Sequence, residues 1–253
     1  ACRRGLGREP DARGLPAAVM TFEPHPREFF APDQAPARLS SLREKLEILA
    51  GLGVDRTYVC RFSYDLARTP PETFVDRMLV RGLAVRWLLV GDDFRFGARR
   101  GGDLKLLQSK AAAGGYSVES MTSVAFAGRR VSSTAIREAL AAGDLELAAQ
   151  LLGRPYSISG RVVAGDRIGR TLGFPTANIG MRHNRPPLQG IFAVRVHGIG
   201  ADPLPGAASL GVRPTVHAKG APILEVHLLD VDGDLYGRHV RVEFVRKLRD
   251  EEK

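Results

Sequence analysis

The sequence predicts an α/β domain followed by a small antiparallel barrel, and three observations lead there. From Ala17 to about Gly153, short apolar runs alternate with segments whose apolar residues recur at helical spacing, the pattern of a parallel sheet covered on both faces. After Leu152 the texture changes to strand-like runs broken by Gly, Pro and Asp turns, with no convincing helix between them, as in a small barrel. The change falls at Gly153–Pro155, which sets expected domains of 1–153 and 154–253, and 253 residues are ample for two cores.

The elements follow in order. Residues Ala1–Gly14 mix arginines with Gly5, Gly7, Pro10 and Gly14, a composition poor for helix and strand alike. Because the first residue is not Met, a truncated chain or a disturbed end is expected. Ala17–Phe22, Arg56–Cys60, Val85–Val90 and Tyr116–Met121 read as buried strands. Ser41–Gly51 and Pro71–Val80 read as helices, the second opened by a proline pair suited to a first turn. Ser132-Ser133-Thr134 reads as a helix start, with Ser132 or Ser133 as cap and Arg137 one turn in. In the second half the strand-like runs are Tyr156–Val163, Gly190–Val196, Ala207–Gly211, Leu224–Leu229 and Val240–Val245.

Composition narrows the function classes. Hydrophobic content of 44% and charged content of 26% are those of a globular chain. Thirty-seven Lys and Arg against 28 Asp and Glu give a net charge of +9, which favours anionic partners such as nucleotides, phosphates or nucleic acid, or is simply a basic surface. Cys2 and Cys60 alone supply neither a disulfide framework nor a Cys-rich zinc site, and point to a reducing cytoplasm. No apolar run approaches the roughly 18 residues of a membrane span, and the Arg-rich start lacks the apolar core of a secretory signal.

The segment Gly169–Asn178, G-R-T-L-G-F-P-T-A-N, carries the most chemistry. Thr176 and Asn178, two apart on an extended chain, put a hydroxyl and an amide oxygen on one face. These are hard ligands suited to Mg²⁺, and the glycines let backbone N–H groups approach a phosphate. An ordinary Gly/Pro turn is the competing interpretation. In the first half, ligands are expected at the carboxyl ends of parallel strands. Glu23-Pro24-His25-Pro26, the loop Gly91–Gly97, and Arg129-Arg130 ahead of Ser132–Thr134 all stand there, the last at a helix start apt for phosphate. A proline-flanked His25 is more often a turn residue. Glu225 taken alone is a solvated strand residue, since Leu224 and His227 do not complete a clean alternation with Val226 and Leu228.

With these residues in view, the chain resembles bacterial bifunctional riboflavin kinase/FAD synthetase from about Leu15 to Lys253. The pieces that carry the resemblance are F-E-P-H-P (Phe22–Pro26), G-D-D-F-R-F-G (Gly91–Gly97), R-V-S-S-T-A-I-R (Arg130–Arg137), L-L-G-R-P-Y (Leu151–Tyr156), the Gly169–Asn178 segment, L-G-V-R-P-T (Leu210–Thr215), L-E-V-H (Leu224–His227) and D-L-Y-G (Asp234–Gly237). The resemblance implies a nucleotidyltransferase-like, Rossmann-like N-terminal domain that joins AMP from ATP to FMN. It implies a six-stranded antiparallel C-terminal barrel that phosphorylates riboflavin with ATP. Thr176 and Asn178 would hold Mg²⁺ and phosphate, the loop containing Gly165, Gly169, Arg170 and Gly173 would fold over the nucleotide, and Glu225 would be the base. Pro24, His25, Pro26, Asp93 and Phe96 would border the flavin of the other reaction, while Arg130, Ser133, Thr134 and Arg137 would meet nucleotide phosphates.

The sequence departs from the family pattern at both ends. It has no G-x-F-D-G-x-H-x-G-H element, whose histidines would grip ATP, so FAD formation is the less secure of the two expected activities. It stops at K-L-R-D-E-E-K, where the family continues into a helix on the barrel, so weak kinase activity is expected. An inactive flavin- or nucleotide-binding fragment or paralogue is the alternative. A basic nucleic-acid-binding protein is a more distant one, because the arginines are scattered and the aromatics few.

Overall fold

The computed structural model describes residues 13–164, 176–183, 185–212, 222–229 and 234–250. These fall into two compact units. One gathers Ala18–Ala35 with Thr57–Ala125, and the other gathers residues 13–17 and Pro36–Arg56 with the described residues from Phe126 onward.

The first unit is α/β, as its alternating pattern predicts. Strand β1 (Ala18–Glu23) pairs with β2 (Arg56–Arg61), and β3 (Trp87–Gly91) pairs in parallel with β4 (Ser117–Met121). Among the described residues these are two separate pairs rather than one continuous sheet. After β1 comes the five-residue helix α1 (Pro26–Phe30), and after β2 comes α3 (Tyr64–Arg68). The single helix expected over Pro71–Val80 is α4 (Pro71–Phe74) running into a wider π-helical stretch, Val75–Gly82. The backbone N–H of Leu83 donates to Met78 O, five residues back, at 3.0 Å, and Phe74, Val75 and Leu79 are thereby buried together. Helix α5 (Leu104–Gly114) is capped by Asp103, whose carboxylate accepts from Leu106 N at 3.0 Å, and ends at Gly115 with φ +68°, a left-handed stop natural to glycine. Its Leu107 is fully buried, and Tyr116 Oη donates to Leu107 O at 2.8 Å.

The second unit is built on the barrel. Strands β7 (Ser157–Val163), β8 (Thr176–Gly180), β9 (Gly190–His197), β10 (Leu204–Val212), β11 (Pro222–Leu228) and β12 (His239–Arg249) close in the order β10-β11-β8-β7-β12-β9. Every neighbouring pair is antiparallel. Alternation makes this possible: Phe192, Val194 and Val196, like Val240, Val242 and Phe244, face inward while the residues between them face out. Phe192 and Phe244 meet edge to face at 5.1 Å. On β7, Gly160 is required by close approach, since a Cβ there would stand 2.6 Å from Gly180 O. Five of the six strands are legible in the sequence. The sixth, β8, is too short for its alternation to stand out.

Among the described residues, three helices of more than a turn belong to this unit. Helix α6 (Ser133–Ala141) is capped by Ser132, whose Oγ accepts from Ala135 N at 3.2 Å, which decides between the two candidate caps. Helix α7 (Leu145–Leu152) ends at Gly153, φ +72°. Ile136, Ala139 and Leu140, with Leu145, Ala148 and Leu151, join the barrel's apolar cluster, and each of the larger side chains contributes about 1.5–3 kcal/mol by burial. Helix α2 (Leu42–Gly51), from early in the chain, is the third.

Candidate functional site

Strands β8 and β11 assemble the first candidate face. Their register sets Glu225 opposite Asn178 and His227 opposite Thr176. Directly opposed residues share a face, with Cβ atoms about 4.5–5.5 Å apart. Leu224, Val226 and Leu228 are buried in the barrel, whereas Glu225 and His227 are half-buried on its outside. The alternation of β11 is therefore clean, correcting the sequence-based expectation: Leu224 lies inside with Val226 and Leu228, and His227 lies outside with Glu225. Thr176 is exposed and Asn178 half-buried on that outer face, while Ile179 faces inward. Ser209 of β10 stands opposite Glu225 on the other flank.

A hydroxyl, an amide and a carboxylate are thus set close together by backbone register. Among the described residues, no cluster of three or more His, Cys, Asp or Glu is placed to hold a metal. A divalent ion here would rest on Thr176 and Asn178 together with substrate phosphates, the manner of binding common for Mg²⁺. Gly165, Gly169, Arg170 and Gly173 lie outside the described residues.

The remaining candidates divide between the two units. In the first, His25 is the N-cap of α1, with Nδ1 accepting from Arg27 N at 3.2 Å, and its ring is exposed between Pro24 and Pro26. Asp93 is exposed just past the carboxyl end of β3, in a turn closed by Phe94 N donating to Gly91 O at 3.1 Å. Phe96, expected at the flavin border, is buried: Phe94 stacks on it at 5.6 Å and Phe74 tilts against it at 5.4 Å. Its ring supports the loop from beneath.

Sequence reasoning missed an aromatic cluster beside His25. Phe29 meets Tyr64 at 4.8 Å and Phe62 at 5.3 Å, and Phe30 meets Phe62 at 5.7 Å. Phe30 is 61% and Tyr64 62% exposed, so they offer aromatic surface to a planar ligand. The signal was the pair of short aromatic runs, Phe29-Phe30 and Phe62 to Tyr64, each following a predicted strand.

In the second unit, Arg130 is exposed on the short strand β6 (Arg129–Arg130), which pairs with β5 (Ala125–Phe126). Ser133 and Thr134 are exposed in the first turn of α6, where backbone N–H groups and the helix dipole favour anions. Arg137 is half-buried and its Nε donates to Ala37 O at 2.6 Å, which fixes the guanidinium one turn into the helix.

Comparison with known proteins places both halves. Residues 5–135 match the FAD synthetase family and residues 152–253 match the riboflavin kinase family. The bifunctional riboflavin kinase/FMN adenylyltransferase of Escherichia coli K12 is 51% identical over 250 residues, 99% of this chain and 80% of that protein. The proteins of the same description from Pseudomonas fluorescens and Haemophilus influenzae are 49% identical over 240 residues and 44% identical over 248. They are covered over 76% and 80% of their lengths, by 95% and 98% of this chain. A crystal structure described as a macrolide-efflux protein from Streptococcus pneumoniae superposes with a TM-score of 0.80 at 27% identity, over all of this chain and 82% of that one. Among the described residues of this chain, no helix is long and apolar enough to cross a membrane. Neither the inactive-fragment nor the nucleic-acid-binding alternative is favoured by these matches. With both family matches in chain order and half its residues shared with curated relatives, the chain belongs to the bifunctional riboflavin kinase/FMN adenylyltransferase family.

Proposed function

We propose that this transferase phosphorylates riboflavin on the outer face of β8 and β11 and adenylylates FMN with the residues of its first family segment. The observation that carries the first half is the register that sets Glu225 directly opposite Asn178, with Thr176 two residues along. Phosphoryl transfer asks a protein chiefly for positioning and charge neutralisation. Glu225 accepts a hydrogen bond from the riboflavin 5′-hydroxyl and aims its oxygen at the γ-phosphorus of ATP. As the new O–P bond forms and ADP leaves, the hydroxyl proton passes to the carboxylate. The gap between carboxylate and alcohol pKa values makes that transfer late rather than early. Thr176 and Asn178 would hold Mg²⁺ through their oxygens, and the ion would supply charge neutralisation for the nucleotide phosphates.

For the second reaction, a phosphate oxygen of FMN attacks the α-phosphorus of ATP, and pyrophosphate leaves. Pro24, His25, Pro26 and Asp93 are assigned to the flavin side, with Phe96 supporting the loop that carries Asp93. Arg130, Ser133, Thr134 and Arg137 are assigned to phosphates, where guanidinium forks and helix N–H groups suit developing negative charge. The functional division is placed at Gly153, giving an adenylyltransferase segment of 1–153 and a kinase segment of 154–253. The compartment is taken as cytoplasmic from the two cysteines of the sequence.

The test is direct. The protein is incubated with riboflavin, ATP and Mg²⁺, and separately with FMN, ATP and Mg²⁺, and the flavins are resolved chromatographically. FMN in the first mixture and FAD in the second are expected. Absence of FMN removes the kinase assignment, and absence of FAD removes the adenylyltransferase assignment alone.

A further inference from the structure

Glu44 lies in the segment that matches the FAD synthetase family, yet its side chain is built into the wall of the barrel. It begins as an ordinary helix-start residue: Ser41 Oγ accepts from Glu44 N at 3.4 Å, and Glu44 Oε2 accepts from Ser41 N at 2.6 Å, a capping box at the start of α2. Such a carboxylate usually faces water. This one is only 5% exposed, and its Oε1 accepts from Ser159 N on β7 at 2.5 Å. Its Oε2 also lies 3.3 Å from Nε2 of His183, a residue 2% exposed. Neither ring nitrogen of His183 has a hydrogen-bond partner of good geometry among the described residues, so the carboxylate is the polar group its ring faces.

Burying a carboxylate is unfavourable by several kcal/mol unless it is paired. Burial pushes the Glu44 carboxyl up, but His183 and the N–H groups of Ser41 and Ser159 outweigh it and hold it below the usual range. The anion therefore ties three pieces of chain together: the start of α2, the middle of β7, and the exit of β8, which His183 follows by three residues.

That exit matters because β8 is short. It has five residues, three paired to β7 and four to β11. Thr176 and Asn178 point outward only in this register, and a slip of one residue turns them into the barrel and Ile179 out of it. We infer that Glu44 and His183 are a positioning pair for the kinase, fixing β8 so that Thr176 and Asn178 meet Mg²⁺ and ATP opposite Glu225. The inference rests on reading that face as the phosphoryl-transfer site. It makes a residue of the adenylyltransferase segment part of the kinase.

The test uses the full chain with Glu44→Gln, His183→Gln and, in parallel, Glu225→Gln. FMN formation is followed for the Mg²⁺ concentration at half-maximal rate and for the KM of ATP and of riboflavin, with thermal melting as a control. Both pair variants are expected to raise the Mg²⁺ and ATP constants about tenfold, the effect of losing an outer-shell partner of a metal site, with the riboflavin KM within about twofold. A pair that served stability alone would lower the folded fraction and the maximal rate, leaving those constants unchanged, and that result overturns the inference. Retained turnover in Glu225→Gln would instead overturn the assignment of the face. Should Glu44→Gln fail to fold, His183→Gln decides.

Discussion

The barrel and the α/β unit hold their polar candidates in different ways. In the barrel they stand on strands, and a closed ladder fixes which residue faces which: Glu225 opposite Asn178, His227 opposite Thr176. In the α/β unit they stand on a helix cap and a turn, His25 at the start of a five-residue helix and Asp93 past the end of β3. The supporting strands differ in the same sense. On β9 the burial alternates fully, whereas on β4 four of five residues are exposed. Sites on ladder strands are held more tightly than sites on loops, so the proposed kinase face is fixed by the barrel, whereas His25 and Asp93 have more freedom to adjust to a ligand.

The largest effect expected from this contrast is catalytic. Glu225→Gln should lower FMN formation by about 10²–10⁴-fold, the usual contribution of a positioned base, while FAD formation from supplied FMN stays unchanged. Parallel loss of both activities would mean that the two regions do not work separately. Asn178→Ala should also abolish FMN formation without unfolding the chain, and a circular dichroism spectrum unlike that of the parent would void the comparison.

Core truncations come next. Phe192→Ala should destabilise the barrel by about 3–5 kcal/mol and Leu107→Ala the α/β unit by about 2–5 kcal/mol, because both side chains are fully buried. Calorimetry should show each substitution shifting a different unfolding transition. One shared transition moved by both would show a single cooperative body.

Acid sensitivity is a smaller and more local effect. Because the Glu44 carboxyl is held below its ordinary value of 4.5, its contribution is fully present above that pH and lost as pH falls through the folded value. The barrel's melting temperature should thus fall more on acidification in the parent than in Glu44→Gln. Equal slopes would show that the buried carboxylate is not what acid attacks. The smallest expected change is Ser132→Ala, which removes the α6 cap and should lower stability by about 1 kcal/mol in urea titration.

How much was legible in advance varies with the kind of residue. Repeating patterns were: the alternation of β9 and β12, the helical spacing of α2, and Ser132 as one of two candidate caps. Gly160 was not, because its need for smallness comes from Gly180 O across the ladder. The family resemblance implied Phe96 at the flavin border, and nothing local to it reveals that Phe94 and Phe74 enclose it. Nothing in the helical run Ser41–Gly51 singles out Glu44, since Ser159 and His183 are more than a hundred positions away.

The sequence by itself determined the two-part architecture, five of six barrel strands, and Thr176 and Asn178 as candidate ligands worth seeking. Those follow from local periodicity and side-chain type, which are properties of neighbours along the chain. Only the tertiary structure decided that Glu225 stands opposite Asn178, that β11 alternates cleanly, and that Glu44 belongs to the barrel. Strand register and burial depend on residues far apart in sequence, and closing the ladder is what brings them together.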